Sequence, residues 1–406
     1  MISSNSSKQK LVIHFLRFGP YHLARLASAQ QLLSSQGFDV VGLETASKDS
    51  AYAWAPSNDE LRSYIVTVFP DRDARDIPVN CIREGIVNKL DHLKPSAVAI
   101  AGWSQPDALA CLNWCRRHNA KAIVMSETRE VDGDRIWWRE AFKSRRLCRF
   151  DAALVGGYSH HAYLRKLGFR GQISAGYDVV DNHFFASEAQ RWSHDDCDIS
   201  RQIRPYLLAS NRFIPRKNLF RLVEAFAAAS ASPSVLTRVD LCLLGDGEQR
   251  RSLEVLCAKH GFTAINGAPW EEQVRTDRVH NPRVLFPGFR QIEELPRFYA
   301  HALAFVHPAL AEPWGLVINE AMAAGLPILS SSNVGATEEL VDEGVNGYCF
   351  DPASIVSMSQ ALVRFLALTP EQRKQMGSLS RQLLADRNPT FSFGHGLRDL
   401  LGISVL

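Results

Sequence analysis

The chain has 406 residues, 46% hydrophobic and 22% charged, a balance that fits a soluble globular protein with room for two domains and two cores. A formal net charge of +3 is too small to predict general nucleic-acid binding, and no nucleic-acid partner is expected. No apolar run approaches the roughly 18 residues that span a bilayer, and the polar residues 1–10 read as a lead-in rather than a secretory signal.

Strand and helix patterns alternate along the chain, which predicts parallel sheets covered on both faces. Residues 11–15 form a short apolar strand, followed by the turn Arg17-Phe18-Gly19-Pro20 and a helix over 22–36 closed by Gly37. Further strands are expected at 39–43, 97–101, 122–125 and 152–155. The polar stretch 187–204, containing Asp195-Asp196-Cys197-Asp198, is the expected linker between domains at 1–186 and 205–388. The second domain carries strands at 206–209, 239–244, 284–287, 304–307 and 328–331, and 389–406 form a C-terminal segment. Cys111 and Cys115 are one helical turn apart, but no second pair or nearby histidine completes a metal set. All eight cysteines are expected to be reduced, mostly packing groups in a cytosolic protein.

Residues 135–149 hold six basic side chains (Arg135, Arg139, Lys143, Arg145, Arg146, Arg149) against the single acid Glu140. On a helix Arg139, Lys143 and Arg146 share one face, while Trp137, Ala141, Ser144 and Cys148 share another. Two readings stay open: a helix with a core tryptophan and a solvated basic face, or an anionic membrane surface as partner.

The stretch Glu312-Pro313-Trp314-Gly315-Leu316-Val317-Ile318-Asn319-Glu320 places two carboxylates eight positions apart around a Pro-aromatic-Gly turn. Proline at a helix start loses no intrahelical bond. The first amides, from Gly315, Leu316 and Val317, then form a site for an anion. Glu312 stands before the helix and Glu320 about two turns inside it. Such a helix start suits a sugar joined to a nucleoside through a diphosphate, although glutamates near a helix start also simply complement its dipole.

With His307-Pro308, Gly325-Leu326-Pro327-Ile328 and Gly344-Val345-Asn346-Gly347-Tyr348, this segment resembles the signature of retaining glycosyltransferase family 4, the group 1 glycosyltransferases of GT-B fold. The resemblance implies an α/β architecture of two Rossmann-like domains whose parallel sheets face a central cleft, the last segment crossing back onto the first domain. It implies a metal-independent, retaining transfer of a sugar from a nucleotide-diphosphate sugar to a hydroxyl acceptor, in polysaccharide, glycolipid or other glycoconjugate biosynthesis. The nucleotide sugar is a co-substrate, and no cofactor is expected. The acceptor is expected to be a saccharide or lipid-linked, and the protein cytoplasmic; peripheral contact at the inner membrane face stays open with the reading of residues 135–149.

Residue by residue, Arg212 and Lys217 in Asn211-Arg212-Phe213-Ile214-Pro215-Arg216-Lys217-Asn218 correspond to the family's diphosphate-binding cations, both expected to be exposed. Asn211 replaces the usual glycine and tolerates left-handed angles. The bland alternative is a solvated basic loop. Glu312 corresponds to the sugar-side carboxylate and Glu320 to the ribose-binding one, with Pro313 and Trp314 in the same donor-binding loop. Gly19 matches a glycine whose amide approaches the donor phosphates. Phe286-Pro287-Gly288-Phe289-Arg290 matches a base-reading segment, so Gly288 and Arg290 are donor candidates. Leu243-Leu244-Gly245-Asp246-Gly247-Glu248 fails as a dinucleotide fingerprint and suits a tight turn equally well. Family members often carry histidine after a central strand of the first domain. The sequence has Ala101-Gly102-Trp103-Ser104 and Met125-Ser126-Glu127-Thr128 there, so Glu127 is the acceptor-side candidate, or a plain strand-end residue. With the leaving phosphate taking the acceptor proton, as is thought for this family, a dedicated base is optional. Two other readings remain: a phosphorylase or epimerase on the same fold, and a non-catalytic nucleotide-sugar binder.

Overall fold

Short apolar runs bounded by glycine, proline and polar turns set the strands, and amphipathic stretches between them return the chain to start the next one. The computed structural model describes residues 8–49, 54, 60–133, 135–232, 239–276 and 282–403. The reading of residues 1–7 as part of a lead-in, and that of the Cys197 side chain, lie outside the described residues. The chain divides into two compact units, Met1–Val180 with Thr390–Leu406, and Asp181–Pro389.

The first unit runs β1 (Gln9–Phe15), α1 (Pro20–Leu33), β2 (Phe38–Lys48), β3 (Ile65–Asp73), α2 (Val79–Leu93), β4 (Ala97–Ala101) and α3 (Pro106–His118), then β5 (Lys121–Ser126), α4 (Trp137–Leu147), β6 (Ala152–Val155), α5 (Tyr158–Lys166) and β7 (Gln172–Ala175). Its sheet has the order β3-β2-β1-β4-β5-β6-β7, and adjacent strands pair in parallel. Leu11, Val12 and Ile13 are all fully buried, as expected of a strand covered on both faces. The helix expected at 22–36 starts earlier, because Pro20 fits the first helical position without losing a bond. Beyond Leu33 the chain tightens into a 3-10 turn ended by left-handed Gly37.

The second unit runs α6 (Asn182–Asp195), α7 (Cys197–Ser200), β8 (Tyr206–Ser210), α8 (Leu219–Ser230), β9 (Asp240–Leu244), α9 (Arg250–Lys259), β10 (Thr263–Asn266), α10 (Glu272–Arg275) and β11 (Arg283–Gly288). It continues with α11 (Leu295–His301), β12 (Ala304–His307), α12 (Leu316–Ala323), β13 (Ile328–Ser331), α13 (Gly335–Leu340), β14 (Gly347–Phe350), α14 (Ile355–Leu366) and α15 (Pro370–Arg387). The parallel sheet order is β10-β11-β9-β8-β12-β13-β14. The direction of winding reverses between β8 and β12, and loops at the carboxyl ends of such a pair diverge to leave room for a ligand.

The expected linker at 187–204 is instead mostly helical and belongs to the second unit. Asp181 caps α6 by accepting from the Phe184 N–H at 2.9 Å. Phe185 and Ala189, four residues apart, bury an apolar stripe that the polar composition hides. Asp196 is also buried, accepting from Arg297 Nε at 2.7 Å and lying 3.1 Å from His301 Nε2. The unit boundary falls at Val180 rather than 186.

The final helix, α16 (Ser392–Leu401), belongs to the first unit, with Phe393, Leu397 and Leu400 buried. Its Gly394 N–H donates to Ser28 Oγ at 3.0 Å, and an added Cβ there would lie 2.6 Å from the Ser28 carbonyl oxygen, so only glycine permits this approach to α1.

Candidate active site

Three separate sequence segments converge at the carboxyl edge of the second sheet. Asn211 N–H donates to Leu244 O, Phe213 N–H to Asp246 O, and Gly245 N–H to Gly288 O, lacing the turns after β8, β9 and β11 together. Gly245 is obligatory here: its φ is +127°, and an added Cβ would sit 1.9 Å from the Asn211 carbonyl oxygen. The Asn211 side chain is buried with neither polar atom hydrogen-bonded to protein, leaving a donor and an acceptor unspent beside Arg212.

Across the switch point, the β8–α8 turn is tied to the end of β12. Asn218, left-handed at φ +59°, donates through its amide to Pro308 O at 3.0 Å and Pro352 O at 2.8 Å. Leu310 N–H donates to Arg216 O. This bracing delivers Lys217 to Glu312. Lys217 Nζ lies 2.6 and 2.5 Å from the two Glu312 oxygens, and His307 Nε2 donates to Glu312 Oε2 at 2.6 Å. Burial alone would raise the Glu312 carboxyl, but the charge of Lys217, then the charge and hydrogen bond of His307, outweigh it and hold the group far below the carboxylate range. Burial pushes the Lys217 ammonium and the His307 imidazole down, against the pull of Glu312 on both. We assign an ammonium–carboxylate pair steadied by a neutral imidazole.

The expectation that Lys217 is exposed is corrected: it is only 7% exposed, because Glu312 draws it in, whereas Arg212 and Arg216 are exposed. Both arginines lie close enough to depress the Lys217 ammonium further. Arg216 was not singled out in the sequence, and neither was the His307 side chain. The signal was present in Arg216-Lys217 and in an imidazole five residues before the carboxylate.

The helix bearing the second carboxylate begins later than expected. Gly315 caps α12 at φ +101°, where a Cβ would press to 3.0 Å from Val334, and Pro313 and Trp314 precede the helix. The first amide to bond back is that of Ile318, to Gly315 O, so the amides of Gly315, Leu316 and Val317 precede the ladder as expected. Glu312 N–H donates to Asn333 O, Gly335 N–H to Glu312 O and Ala336 N–H to Trp314 O, so the loop is held before any ligand arrives. Trp314 is a brace rather than a ligand-facing ring: it is buried, and its indole N–H donates to Asn319 Oδ1 at 2.9 Å. Glu320 lies little more than one turn inside α12, has no exposed surface, and accepts from Tyr299 Oη at 2.7 Å. The Arg290 guanidinium pairs with Glu294 at 3.1 Å and Glu271 at 3.4 Å, and the Gly288 carbonyl is taken by the Gly245 N–H.

In the first unit, Gly19 caps α1, but its N–H donates to His22 Nδ1 at 3.0 Å. The imidazole three residues on thus fills the role of a capping-box side chain for the glycine matched to the donor phosphates. Burial, then the charge of Arg25, pushes His22 down to about 3, so its ring is a neutral acceptor. The segments after β4 and β5, where histidine was absent, do meet. Gly102, Trp103, Ser104, Met125, Ser126, Glu127 and Thr128 line a cavity of about 390 Å³, with Lys143 of α4 and Tyr177 joining them. A carboxylate, an ammonium, four hydroxyls and aromatic surface around one hollow suit a polyol.

Residues 204–367 match the family described as "Glycosyl transferases group 1". An uncharacterized glycosyltransferase of Methanocaldococcus jannaschii is 32% identical over 139 residues, covering 34% of this chain and 31% of that protein's own length. The chain is similar in structure to sucrose-phosphate synthase from Thermosynechococcus elongatus, at TM-score 0.72 and 18% identity over 98% of this chain and 100% of that one. It is also similar to HepE of Anabaena, solved with UDP and glucose, at TM-score 0.69 and 14% identity over 97% of this chain and 99% of that one. The fold is that of two-domain α/β proteins of GT-B type. Residues 204–367, within the second unit, carry this likeness to the group 1 glycosyltransferases.

Proposed function

We propose that the protein moves a sugar from a nucleotide-diphosphate sugar to a hydroxyl acceptor with retention, without a metal, in polysaccharide, glycolipid or other glycoconjugate biosynthesis. The observation that carries this reading is the Lys217–Glu312–His307 cluster set beside free helix-start amides and exposed Arg212. Departure of a nucleoside diphosphate builds negative charge. Arg212, Arg216, the remaining donor of Lys217 and the amides of Gly315, Leu316 and Val317 are fixed positive groups for it, the task a metal ion performs elsewhere. Glu312, ionised and partly accessible, accepts from the transferred sugar's hydroxyls. The donor loop is completed by Pro313, while Asn211 offers its unspent amide, and main-chain groups of Gly288 and Arg290 meet the base. Glu320 acts on the ribose after Tyr299 yields its bond.

The acceptor, a saccharide or lipid-linked, is read by the Glu127 cavity. The HepE complex, solved with UDP and glucose, supports the donor class. The decisive experiment incubates the protein with a panel of nucleotide sugars and candidate acceptors in excess chelator. Acceptor-linked product of unchanged anomeric configuration is expected. An absolute requirement for manganese or magnesium, or an inverted product, would overturn the corresponding part of the reading. Isomerised donor without acceptor would identify an epimerase, and binding without turnover a non-catalytic binder.

A further inference from the structure

Among the helices of the first unit, α4 is held differently. Only Leu147 of its residues is buried, against seven in α3. Its inner face is fixed by a polar network instead: Lys143 Nζ donates to Glu140 Oε1 at 2.8 Å and to Tyr163 Oη at 3.0 Å, and Tyr163 Oη donates to Glu140 Oε2 at 2.6 Å. The Arg135 guanidinium stacks 4.6 Å over the Tyr163 ring. The one acid of the segment is therefore turned inward and spent.

The outer face is the reverse of a solvated basic surface over core tryptophan. Trp137 is 81% exposed, Trp138 46% and Phe142 62%. Arg139 and Arg145 are exposed among them, and Arg146 is half-buried. In the helical projection Trp138, Phe142 and Arg145 point the same way, so aromatic and cationic groups are interleaved rather than segregated. Three large aromatic side chains held in water on one short helix are costly unless something covers them. Charge decides the occupant: apolar rings amid arginines complement an anionic bilayer surface, where rings enter the headgroup boundary and guanidinium groups meet phosphates. Among the described residues no helix is long and apolar enough to cross a membrane, so the contact would be superficial.

Lys143 also lines the cavity that holds Glu127. We propose that α4 is a membrane-docking lever for the acceptor cavity: Trp137, Trp138 and Phe142 enter an anionic bilayer on one side, and the same helix thereby fixes Lys143 beside Glu127 on the other. The assignment of the cavity to the acceptor rests on the function proposed above. The docking and its coupling to the cavity wall stand on the placement of α4 alone.

The test uses the full chain with neutral phosphatidylcholine vesicles and with vesicles containing phosphatidylglycerol. Co-sedimentation is expected with the anionic vesicles only, weakening as salt rises. Trp138→Glu, and separately Arg145→Glu, should each weaken it roughly tenfold or more, since each removes an anchoring or cationic group and adds a like charge. Hydrogen exchange read on the same samples should slow at α4 and also at residues 102–104 and 125–128 when anionic vesicles are added. Equal binding to neutral vesicles, or wild-type binding by both variants, overturns the docking surface. Protection of α4 without protection of the cavity segments overturns the lever. A protein partner in place of a bilayer would appear as absence of binding to either vesicle, which also overturns the proposal. None of these readouts needs a nucleotide sugar, so they fail or succeed independently of the transferase reading.

Discussion

The two candidate sites solve opposite problems. In the second unit, Lys217, Glu312 and His307 satisfy one another in a nearly dry cluster, and every segment that supplies them is pinned by main-chain bonds. In the first unit, Glu127 and Lys143 sit on the wall of an open cavity, and α4, which delivers the lysine, is held by a handful of polar contacts. A site that must stabilise charge developing on a leaving group gains from rigidity fixed in advance. If the cavity takes the acceptor, as proposed above, a wall held by few contacts can adjust to it. If the comparison is right, substitutions in the first cluster should cost folding as well as turnover, and those in the second chiefly turnover.

The largest effect is expected at Lys217. Lys217→Ala leaves the buried Glu312 carboxylate without its main counter-charge, and breaking such a pair costs roughly 3–5 kcal/mol of stability. Arg212→Ala, at an exposed position, should keep the fold while lowering transfer at least about a hundredfold, or roughly 3 kcal/mol of barrier. Denaturant titration beside turnover separates the two. Equal loss of stability in both variants would erase the contrast drawn here, and near-normal activity in folded Arg212→Ala would remove it from the donor site.

The two glutamates come next. Glu312→Gln should mainly lower turnover of bound donor. Glu320→Gln should weaken binding of the free nucleoside diphosphate by roughly 1–3 kcal/mol, since the amide offers one acceptor fewer. Because Glu320 is buried against Tyr299, Tyr299→Phe is the control: it removes the hydroxyl that donates to the carboxylate without altering the carboxylate's charge. Calorimetric titration in which Glu320→Gln binds as tightly as wild type, while Glu312→Gln does not, would exchange the roles. Glu127→Gln should cost less, under about a hundredfold and chiefly in acceptor use, if the leaving phosphate takes the proton. A larger loss in acceptor-independent donor hydrolysis would move Glu127 out of the acceptor cavity's role.

Much of the second unit was legible because its chemistry is local in sequence. The Arg212–Lys217 turn, the Gly288 turn and the Glu312–Glu320 stretch each name themselves, and parallel strands rich in aliphatic residues place their ends together. Burial of Lys217 escaped because it depends on a long-range contact with Glu312, 95 positions away, whereas the capture of the Gly19 amide is local and escaped because histidine is an unusual cap. Helix α6 was missed for a different reason. Two buried side chains, Phe185 and Ala189, suffice to dock it, too few to stand out against Ser187, Glu188, Gln190 and Arg191. The orientation of α4 was left open because interleaved Trp and Arg have no single apolar stripe, so periodicity alone could not choose which face turns inward.

The smallest effect tests how firmly the first unit's β1–α1 turn is built. His22 accepts from the Gly19 N–H, stacks on Phe15 at 4.1 Å, and is pushed from its ordinary 6.5 down to about 3 by burial and then by Arg25. Below about pH 6.5 the unfolded chain takes up a proton that the folded ring refuses until about 3, so this group makes stability fall as pH falls across that window. The contribution is at most about 1.4 kcal/mol per pH unit. His22→Gln keeps an acceptor at the same capping position but cannot titrate. Its unfolding midpoint should therefore lie close to wild type near neutrality and decline less steeply on acidification. A variant that loses stability equally at every pH would show that stacking on Phe15, rather than the neutral cap, is what the turn requires of this residue.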